Sequence, residues 1–317
     1  MKTSLILCTH NPRMDYLQRA LAALRDQTLP KSEWELLVID NRSTDPLANR
    51  LNLGWHPQGR IVREEEIGLA RARLCGIKES RGEVLVFSDD DNVLDPGYLA
   101  EGLRIAEAWP RLGAWGGSIV PEFEVQPPDH LRPHLKMLAL REVTQPRWAN
   151  VWDCKDAEPW GAGLCIRRRA ALAYCDFYEK SRIRIDGRSG KLLSAGEDSE
   201  ISFVTCSLGL GMGVFPSLKV VHLIPSRRLD EAYLAGIAQG LETSSILLFY
   251  KWGDNHPGSP FSPLNILRLL KHCLLKHGIE RRLYVAKYRG RIAADKIIRS
   301  HHLRNHTAPT RLETKEP

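Results

Sequence analysis

The sequence predicts an α/β protein with a mostly parallel central sheet flanked by helices and a helical C-terminal extension. In the first half of the chain, apolar runs of strand length alternate with helical patterns, as expected for βαβ units. One run, VLVF, leads into three consecutive carboxylates, and open α/β sheets bind ligands at such strand ends. From residue 229 onward the patterns are helical, and from Lys271 onward basic side chains are dense. We therefore expect one large domain over residues 1–228 and a helical extension over residues 229–317.

The elements of the first half can be assigned in order. SLILCT predicts a buried strand, and NPRMDYLQRALAALRDQ predicts a helix that Asn11 caps and Pro12 begins. WELLVIDN predicts a second strand ending at Asp40, and GRIVREEE a weaker third one. GLARARLCGIKESRG predicts a helix stopped by Gly82, EVLVFS the strand before the acids, and DPGYLAEGLRIAEAW a helix with Pro96 at its start.

The second half is less regular. Between Pro121 and Pro159, prolines and tryptophans are frequent and periodicity is poor, which predicts a long loop or flap over a site. Regular patterns return in GAGLCIRRRAALAYC and GEDSEISFVTCSLGLGMGVFP. After VVHLIP we expect helices in DEAYLAGIAQGLETSSILLFY, NILRLLKHCLLKHGI and RRLYVAKYRGRIAADKII, then a disordered tail, HTAPTRLETKEP.

Charge and composition restrict the partners and the compartment. The net charge of +7 favours an anionic partner: a phosphate-bearing substrate, an anionic membrane surface or a nucleic acid. Nucleic acid is disfavoured, because no aromatic platform or recognised motif accompanies the basic residues. Seven cysteines without a CxxC pair indicate reduced core residues. Since we find neither a signal sequence nor a run of spanning length, we expect a cytoplasmic protein, or one that lies on the inner face of the cell membrane.

The acidic run predicts a metal site. Three adjacent carboxylates repel one another, and a hard divalent cation such as Mn²⁺ or Mg²⁺ is their usual counter-charge, shared with substrate phosphates. The alternative is a solvated acidic turn. The preceding buried strand favours the site.

Six segments together resemble the family 2 glycosyltransferases, which have the GT-A fold. They are CTHNPR, VIDNRSTD, GLARARLCGI, FSDDDN, GEDSEIS and VVH, in the family's order and approximate spacing, over roughly Ser4 to Arg228. The resemblance implies an enzyme that transfers a sugar, with inversion, from a nucleoside diphosphate donor to a carbohydrate or lipid-linked acceptor hydroxyl. The usual nucleoside is uridine, and the usual setting is polysaccharide or glycolipid synthesis.

The resemblance also implies residues that bind the nucleotide sugar. A helix N-terminus beside an arginine suits a diphosphate, and the acid at Asp40 is expected to contact the base. The alternatives are an ordinary capped helix and an Asx turn. Arg71 and Arg73 lie two positions apart on a helix, so we expect only one of them to contact ligand. The full implied set is Thr9, His10, Asn11, Arg13, Asp40, Arg71, Arg73, Asp89 and Asp90.

The metal ligands implied by the resemblance are Asp89 and Asp91, with Asp91 the direct one, and His222 after the strand-like GVFPSLKVVH. Asp90 is expected to hold ribose hydroxyls. Without the resemblance, His222 would be taken as structural. Arg227 and Arg228 are expected to neutralise the leaving diphosphate; otherwise they form a solvated basic turn.

GEDSEIS matches the family segment that carries the catalytic base, which falls on Asp198. Inverting transfer needs a carboxylate to take the acceptor proton. Glu197 is expected to bind the acceptor. The alternative is a pair of acids at a helix start. In WGAGLCIRR, Trp160 and Gly161 are expected beside the donor sugar or the acceptor, while Gly163 stands where many relatives carry Asn. Candidates for sugar stacking, with simple packing as the alternative, are Trp148, Trp152 and Trp160.

Two other classes remain open. A sugar-phosphate nucleotidyltransferase should have a glycine-rich loop after its first strand, and CTHNPRMDY contains no glycine. A non-catalytic carbohydrate-binding relative should lose the metal or base carboxylates, which this chain keeps.

The C-terminal region combines leucine-rich clusters with basic residues. This composition fits an amphipathic segment on an anionic leaflet, and it fits equally a helical extension packed on the catalytic domain. The apolar members are Leu264, Ile266, Leu267, Leu269, Leu270, Leu274 and Leu275, and the basic ones Lys271, Lys276, Arg281, Arg282, Lys287, Arg289 and Arg291.

Overall fold

The computed structural model describes residues 1–189, 192–193, 196–253 and 258–306. The strands are β1 (Thr3–Thr9), β2 (Trp34–Asn41), β3 (Gly59–Glu64), β4 (Val84–Asp89), β5 (Asn92–Leu94), β6 (Leu112–Phe123), β7 (Arg147–Ala149), β8 (Cys165–Arg167), β9 (Arg188–Ser189), β10 (Leu192–Leu193) and β11 (Gly211–Ile224). The α-helices are α1 (Met14–Arg25), α2 (Leu69–Glu79), α3 (Tyr98–Ala108), α4 (Arg168–Lys180), α5 (Glu197–Ser207), α6 (Glu231–Gly253), α7 (Pro263–Leu275) and α8 (Gly278–His306).

A mixed, mostly parallel sheet forms the centre of the molecule, as predicted. Its strand order is β3-β2-β1-β4-β8-β6-β11-β5, and β7 pairs with β11 as well. β3, β2, β1 and β4 run parallel. β8 is antiparallel to both β4 and β6, whereas β6 and β11 are parallel. The carboxyl ends of β1, β2 and β4 therefore meet at one edge of the sheet.

Helices cover both faces of this sheet because successive strand residues point to opposite sides. Leu5 and Leu7 of β1 pack in one core with residues of α1 and α3. Ile6, between them, packs in a second core with residues of α2, α4 and α5. All residues of β1 and β2 are buried, which explains their nearly continuous apolar sequence.

Two local predictions were wrong. Asn11 does not cap α1: the capping position is Arg13, without a side-chain cap. Asn11 instead adopts φ 49°, and its side-chain oxygen accepts from the backbone N–H of Thr44 at 2.8 Å. The region from 121 to 159 is also not one loop, because β6 extends into it and a 3-10 segment (Asp129–Leu138) and β7 follow.

The C-terminal helices differ in how they pack. In α6 and α8, Leu234, Ile237, Ile279 and Leu283 share a core with Ile224 of β11, so these helices pack on the domain that contains the sheet. None of the α7 side chains, all within the described residues, is buried. No helix in the described part of the chain is long and apolar enough to cross a membrane. The predicted disordered tail lies, apart from His306, outside the described residues.

Candidate active site

Three predicted segments meet at the carboxyl edge of the sheet. The register of the strands places Thr9 beside Asp40 and Cys8 beside Asp89. The Thr9 hydroxyl donates a short hydrogen bond to Asp90, which joins the end of β1 to the acidic run. The first strand–helix turn, the end of β2 and the three acids thus form one continuous surface.

The turn after β1 is held by its neighbours. His10 Nδ1 lies 2.7 Å from the carbonyl oxygen of Asn41, and Nε2 lies 3.1 Å from the side-chain nitrogen of Asn11. Arg13 forms ion pairs with Asp15 at 2.6 Å and Glu124 at 2.9 Å. His10 and Asn11 are exposed, so both remain accessible to a ligand.

Asp40 anchors the loop that follows β2. Its oxygens accept from the backbone N–H groups of Ser43 at 2.8 Å and Leu47 at 3.0 Å, and from Arg63 at 3.1 Å. Burial opposes the charged form, but these donors outweigh it and lower the pKa of Asp40. The carboxylate is 1% exposed, which fits the Asx-turn alternative. Contact with a base stays a prediction.

Arg73 connects the acidic run to the start of α5, where the catalytic carboxylate is predicted. Its guanidinium lies 3.1 Å from Glu197 and 4.0 Å from Asp89, and the side chain is 1% exposed. Arg71 lies elsewhere on α2, paired with Glu66 at 3.0 Å. The two arginines therefore have different partners, and contact of only one of them with ligand stays a prediction. A side chain at Gly161 would collide with the Arg73 guanidinium, which explains glycine at that position.

Asp198 lies at the start of α5 with both oxygens oriented by backbone donors. Gly161 N–H donates to Oδ2 at 2.7 Å, and Ser199 N–H donates to Oδ1 at 2.9 Å. Asp198 is half-buried, whereas Glu197 is 4% exposed and faces Arg73. Burial raises the pKa of Glu197, against the opposing effect of Arg73. Of the two acids, Asp198 is the more accessible.

The end of the acidic run meets β11. Because β5 pairs antiparallel with β11, Asn92 lies opposite His222, and this pairing brings His222 next to Asp91. Asp91 Oδ2 lies 3.5 Å from His222 Nε2. Arg228 donates to both atoms, at 2.6 Å each. Burial, with a contribution from Asp91, raises the pKa of Asp90.

The carboxylate of Asp91 and the imidazole of His222 fit part of a divalent cation site. Arg228 can only donate, so His222 Nε2 accepts from its guanidinium through the lone pair that a metal ion would otherwise use. Among the described residues, no group of three or more His, Cys, Asp or Glu side chains converges as a metal site. Two protein donors completed by substrate phosphates and water are an arrangement that Mg²⁺ commonly takes.

A cluster beside Asp198 was not predicted. Glu158 accepts a short hydrogen bond from the Ser199 hydroxyl, and burial raises its pKa to about 7. Arg141 lies 4.2 Å over the ring of Trp160 and donates to the backbone oxygen of Glu158 at 2.5 Å. Glu158 and Arg141 come from the aperiodic Pro/Trp-rich stretch, where no pattern marks them.

The remaining predicted positions differ in exposure. Trp152 packs on Phe203 at 5.3 Å, consistent with the packing alternative, and Trp148 is 58% exposed. Gly163 adopts φ +77°, and a side chain there would collide with the Tyr98 hydroxyl. Arg227 is exposed, in contrast to its neighbour in sequence.

Comparisons with known proteins agree with this architecture. The sequence model described as glycosyl transferase family 2 matches residues 4–170, more than half of the chain. Glycosyltransferase AglE from Haloferax volcanii is 34% identical over 103 residues, which are 32% of this chain and 34% of AglE. Poly(ribitol-phosphate) beta-glucosyltransferase from Bacillus spizizenii is 30% identical over 98 residues, 30% of this chain and 15% of that protein. These matches span about a third of the relatives' lengths or less.

A solved structure shares the fold. The crystal structure of GalNAc-T7 with UDP, GalNAc and Mn²⁺ has a TM-score of 0.51 at 16% identity, over 86% of this chain and 54% of that one. The likeness confirms the predicted GT-A architecture and does not extend to the ligands.

Proposed function

The chain belongs to glycosyl transferase family 2, and on that premise we propose that it transfers a sugar from a nucleoside diphosphate sugar to an acceptor hydroxyl with inversion. The observation that carries the proposal is the link through Arg73. This side chain contacts Glu197 at 3.1 Å and lies 4.0 Å from Asp89. It thereby joins the acidic run at the sheet edge to Glu197, the neighbour of the proposed base in a distant part of the chain.

Asp198 is the proposed base. Its two backbone hydrogen bonds fix the carboxylate plane, and its half-buried position leaves room for an acceptor. Asp198 would take the hydroxyl proton as the acceptor oxygen attacks the anomeric carbon opposite the leaving diphosphate. Glu197 is less suited to this role, because Arg73 and the protein interior enclose it. We propose that Glu197 positions Arg73, and through it the acceptor side of the site.

The donor would lie along the edge formed by Thr9, His10, Asn11 and Asp40, with Asp90 near the ribose. Asp91 and His222 would hold a Mn²⁺ or Mg²⁺ ion, whereas Asp89, the other ligand expected from the sequence, does not converge with them in the described part of the chain. When bound, such an ion supplies positive charge that balances the departing diphosphate. Uridine is the expected nucleoside, in keeping with the UDP bound to the structurally similar GalNAc-T7. Arg227, exposed beside this edge in sequence, is a candidate to contact the diphosphate.

The acceptor is proposed to be a growing polysaccharide or a glycolipid. The similar protein from Bacillus spizizenii is a poly(ribitol-phosphate) beta-glucosyltransferase by name, which supports a polymeric acceptor. Trp160, held under Arg141, is the best-placed aromatic ring for stacking on a sugar, because it lies next to Gly161 and thus close to Asp198.

We also propose that the protein works on the cytoplasmic face of an anionic membrane. The outer face of α7 exposes large apolar side chains, and basic side chains lie among them. Between α6 and α8 lies an open groove of about 450 Å³, whose lining includes Arg281, Arg282 and Arg289. Apolar area together with positive charge is the combination that binds anionic bilayer surfaces. The exposed apolar residues of α7 are Leu264, Ile266, Leu267, Leu270, Leu274 and Leu275.

A screen of nucleotide sugars for donor hydrolysis and transfer, with and without Mn²⁺, tests the proposal. The Asp198→Asn variant is the matched control, because it keeps the shape of the side chain and removes the proton acceptor. We expect the variant to bind the active donor normally and to lose about 10²- to 10⁴-fold in turnover. A variant with near-normal turnover would move the base elsewhere, with Glu197 next. A chain without any activity, yet with donor bound, would be a non-catalytic relative.

A further inference from the structure

Arg228 occupies the space between the two proposed metal ligands. Its guanidinium donates through one terminal nitrogen to Asp91 Oδ2 and through the other to His222 Nε2, at 2.6 Å each. The two acceptor atoms lie 3.5 Å apart. Neighbouring ligands of an octahedral Mg²⁺ lie about 3 Å apart, given bonds of about 2.1 Å. The guanidinium fork therefore uses the lone pairs that a divalent cation would need.

The hydrogen-bond donors of the Arg228 side chain are only partly paired. The side chain is 8% exposed, and its Nε has no hydrogen-bond partner among the described residues. A buried donor without a partner destabilises the arrangement that leaves it so. Arg228 belongs to a short 3-10 segment (Ser226–Leu229), directly after β11, whose first residue is exposed. The two terminal nitrogens of the guanidinium are thus hydrogen-bonded, whereas its Nε is not.

We propose that Arg228 is a built-in counter-cation that competes with the divalent cation for Asp91 and His222. One carboxylate oxygen and one imidazole nitrogen cannot serve both cations through the same lone pairs. Cation binding therefore requires Arg228 to leave, and its displaced guanidinium then needs a new anion. A diphosphate is an anion that offers bidentate acceptors to such a fork. Nucleotide binding and cation binding are consequently coupled through Arg228, each favouring the other.

The inference rests on the metal site of the proposed function but has its own readout. Binding of Mn²⁺ alone, without nucleotide, is measured by electron paramagnetic resonance titration on the full chain. We expect Arg228→Met to bind Mn²⁺ about tenfold more tightly than the wild type, or more, since the competing charge-assisted hydrogen bonds are gone. Arg227→Met is the matched control, because it removes the same charge from the same segment without touching Asp91. Its Mn²⁺ affinity should change by about twofold at most, the size expected of a screened surface charge.

The coupling gives a second readout. Addition of UDP should raise the Mn²⁺ affinity of the wild type by a factor about tenfold larger than in Arg228→Met. Unchanged or weaker Mn²⁺ binding by a folded Arg228→Met, or equal UDP factors in both proteins, would overturn the inference. Circular dichroism establishes folding, and Arg228→Gln serves in its place if Arg228→Met does not fold. The Mn²⁺ titration does not depend on sugar transfer. If the wild type lacks transferase activity but Arg228→Met still binds Mn²⁺ more tightly, the proposed function is refuted and the competition between Arg228 and the cation stands.

Discussion

At the scale of single residues, the site depends on a few buried charges that join distant segments. Arg73 connects α2 to the start of α5, and Arg228 connects β11 to the acidic run. Each of these charges is compensated by carboxylates, and removal of one partner leaves the other uncompensated in the interior. Breaking such a pair is strongly destabilising, by about 3–5 kcal/mol. Substitutions here therefore change stability as well as chemistry.

Asp91→Asn should show both effects. We expect metal-dependent transfer to be abolished, because the amide cannot supply the carboxylate charge. The melting temperature should fall as well, since Arg228 loses the partner at 2.6 Å. Asp95→Asn, an exposed acid in the next turn, is the control and should leave both properties unchanged. Full transfer activity of Asp91→Asn, or of the wild type in excess chelator, would contradict the proposed metal site.

Glu158 should make stability depend on pH. Burial, reinforced by Asp198, raises its pKa to about 7 from an unfolded value of 4.5. The folded state then holds the proton more tightly, so this contribution to stability is complete below pH 4.5 and is lost as the pH rises through about 7. Relative to Glu158→Gln, the wild type should lose roughly 3 kcal/mol between these limits. Urea unfolding of both proteins at pH 5 and pH 8 measures this change in the free energy of unfolding. If the difference between the two proteins is the same at both pH values, the raised pKa of Glu158 is excluded.

The candidate carboxylates could be identified from the sequence, but their partners could not. The acids were recognisable because they directly follow a buried strand or stand in a family motif. Arg228 was predicted near the diphosphate, but its contact with Asp91 spans 137 positions and depends on the pairing of β5 with β11. Glu158 and Arg141 were missed because their stretch has no periodicity. Contacts of this kind follow from tertiary packing, which local patterns do not encode.

At the scale of elements, the spacing of apolar residues and their burial explain which strands and helices could be predicted from the sequence. β1, β2 and β4 are buried along almost their whole length and read as continuous apolar runs. α1 was found from its apolar spacing, although its cap was not. β5 has three residues and begins one residue after the acids, so its sequence carried no strand signal. Short edge strands of this sort are set by their neighbours, here β11.

For α7, the sequence did not distinguish between binding to an anionic membrane and packing on the rest of the protein. We expect the full chain to float with anionic vesicles at low salt and to dissociate at high salt, because charge attraction is screened. The double substitution Leu267→Gln with Leu274→Gln should abolish flotation without lowering the melting temperature, since these side chains are 64% and 77% exposed. Leu208→Gln, at an exposed leucine after α5, is the control. Absence of binding at low salt would leave α7 without a membrane role.

At the scale of the whole molecule, the boundary expected near residue 228 does not separate two cores. Ile224 packs with residues of α6 and α8, and Phe203 of α5 packs with Leu248 and Ala294. We therefore expect the full chain to unfold in a single calorimetric transition. A chain cut after residue 228 should melt at a lower temperature or aggregate, since it exposes those apolar surfaces.

Ile279→Ala provides the matched point variant for this prediction. It removes a side chain that is 7% exposed in the shared core, and it should cost about 2–5 kcal/mol while the transition stays single. Two resolved transitions in the intact chain would show that the extension is an independent unit.

The buried ion pair between Glu200 and Lys251 limits how this protein can be recombined. Lys251, near the end of α6, lies 2.6 Å from Glu200, which follows Asp198 by two positions on α5. A chimera that exchanges the C-terminal helices with those of a relative would leave Glu200 buried without its cation, next to the proposed base. The exchange must therefore carry α5 along with the extension, or replace Glu200 with a neutral side chain. If the extension contributes to acceptor preference, that preference can be transferred to a chimera only together with α5, which carries the proposed base.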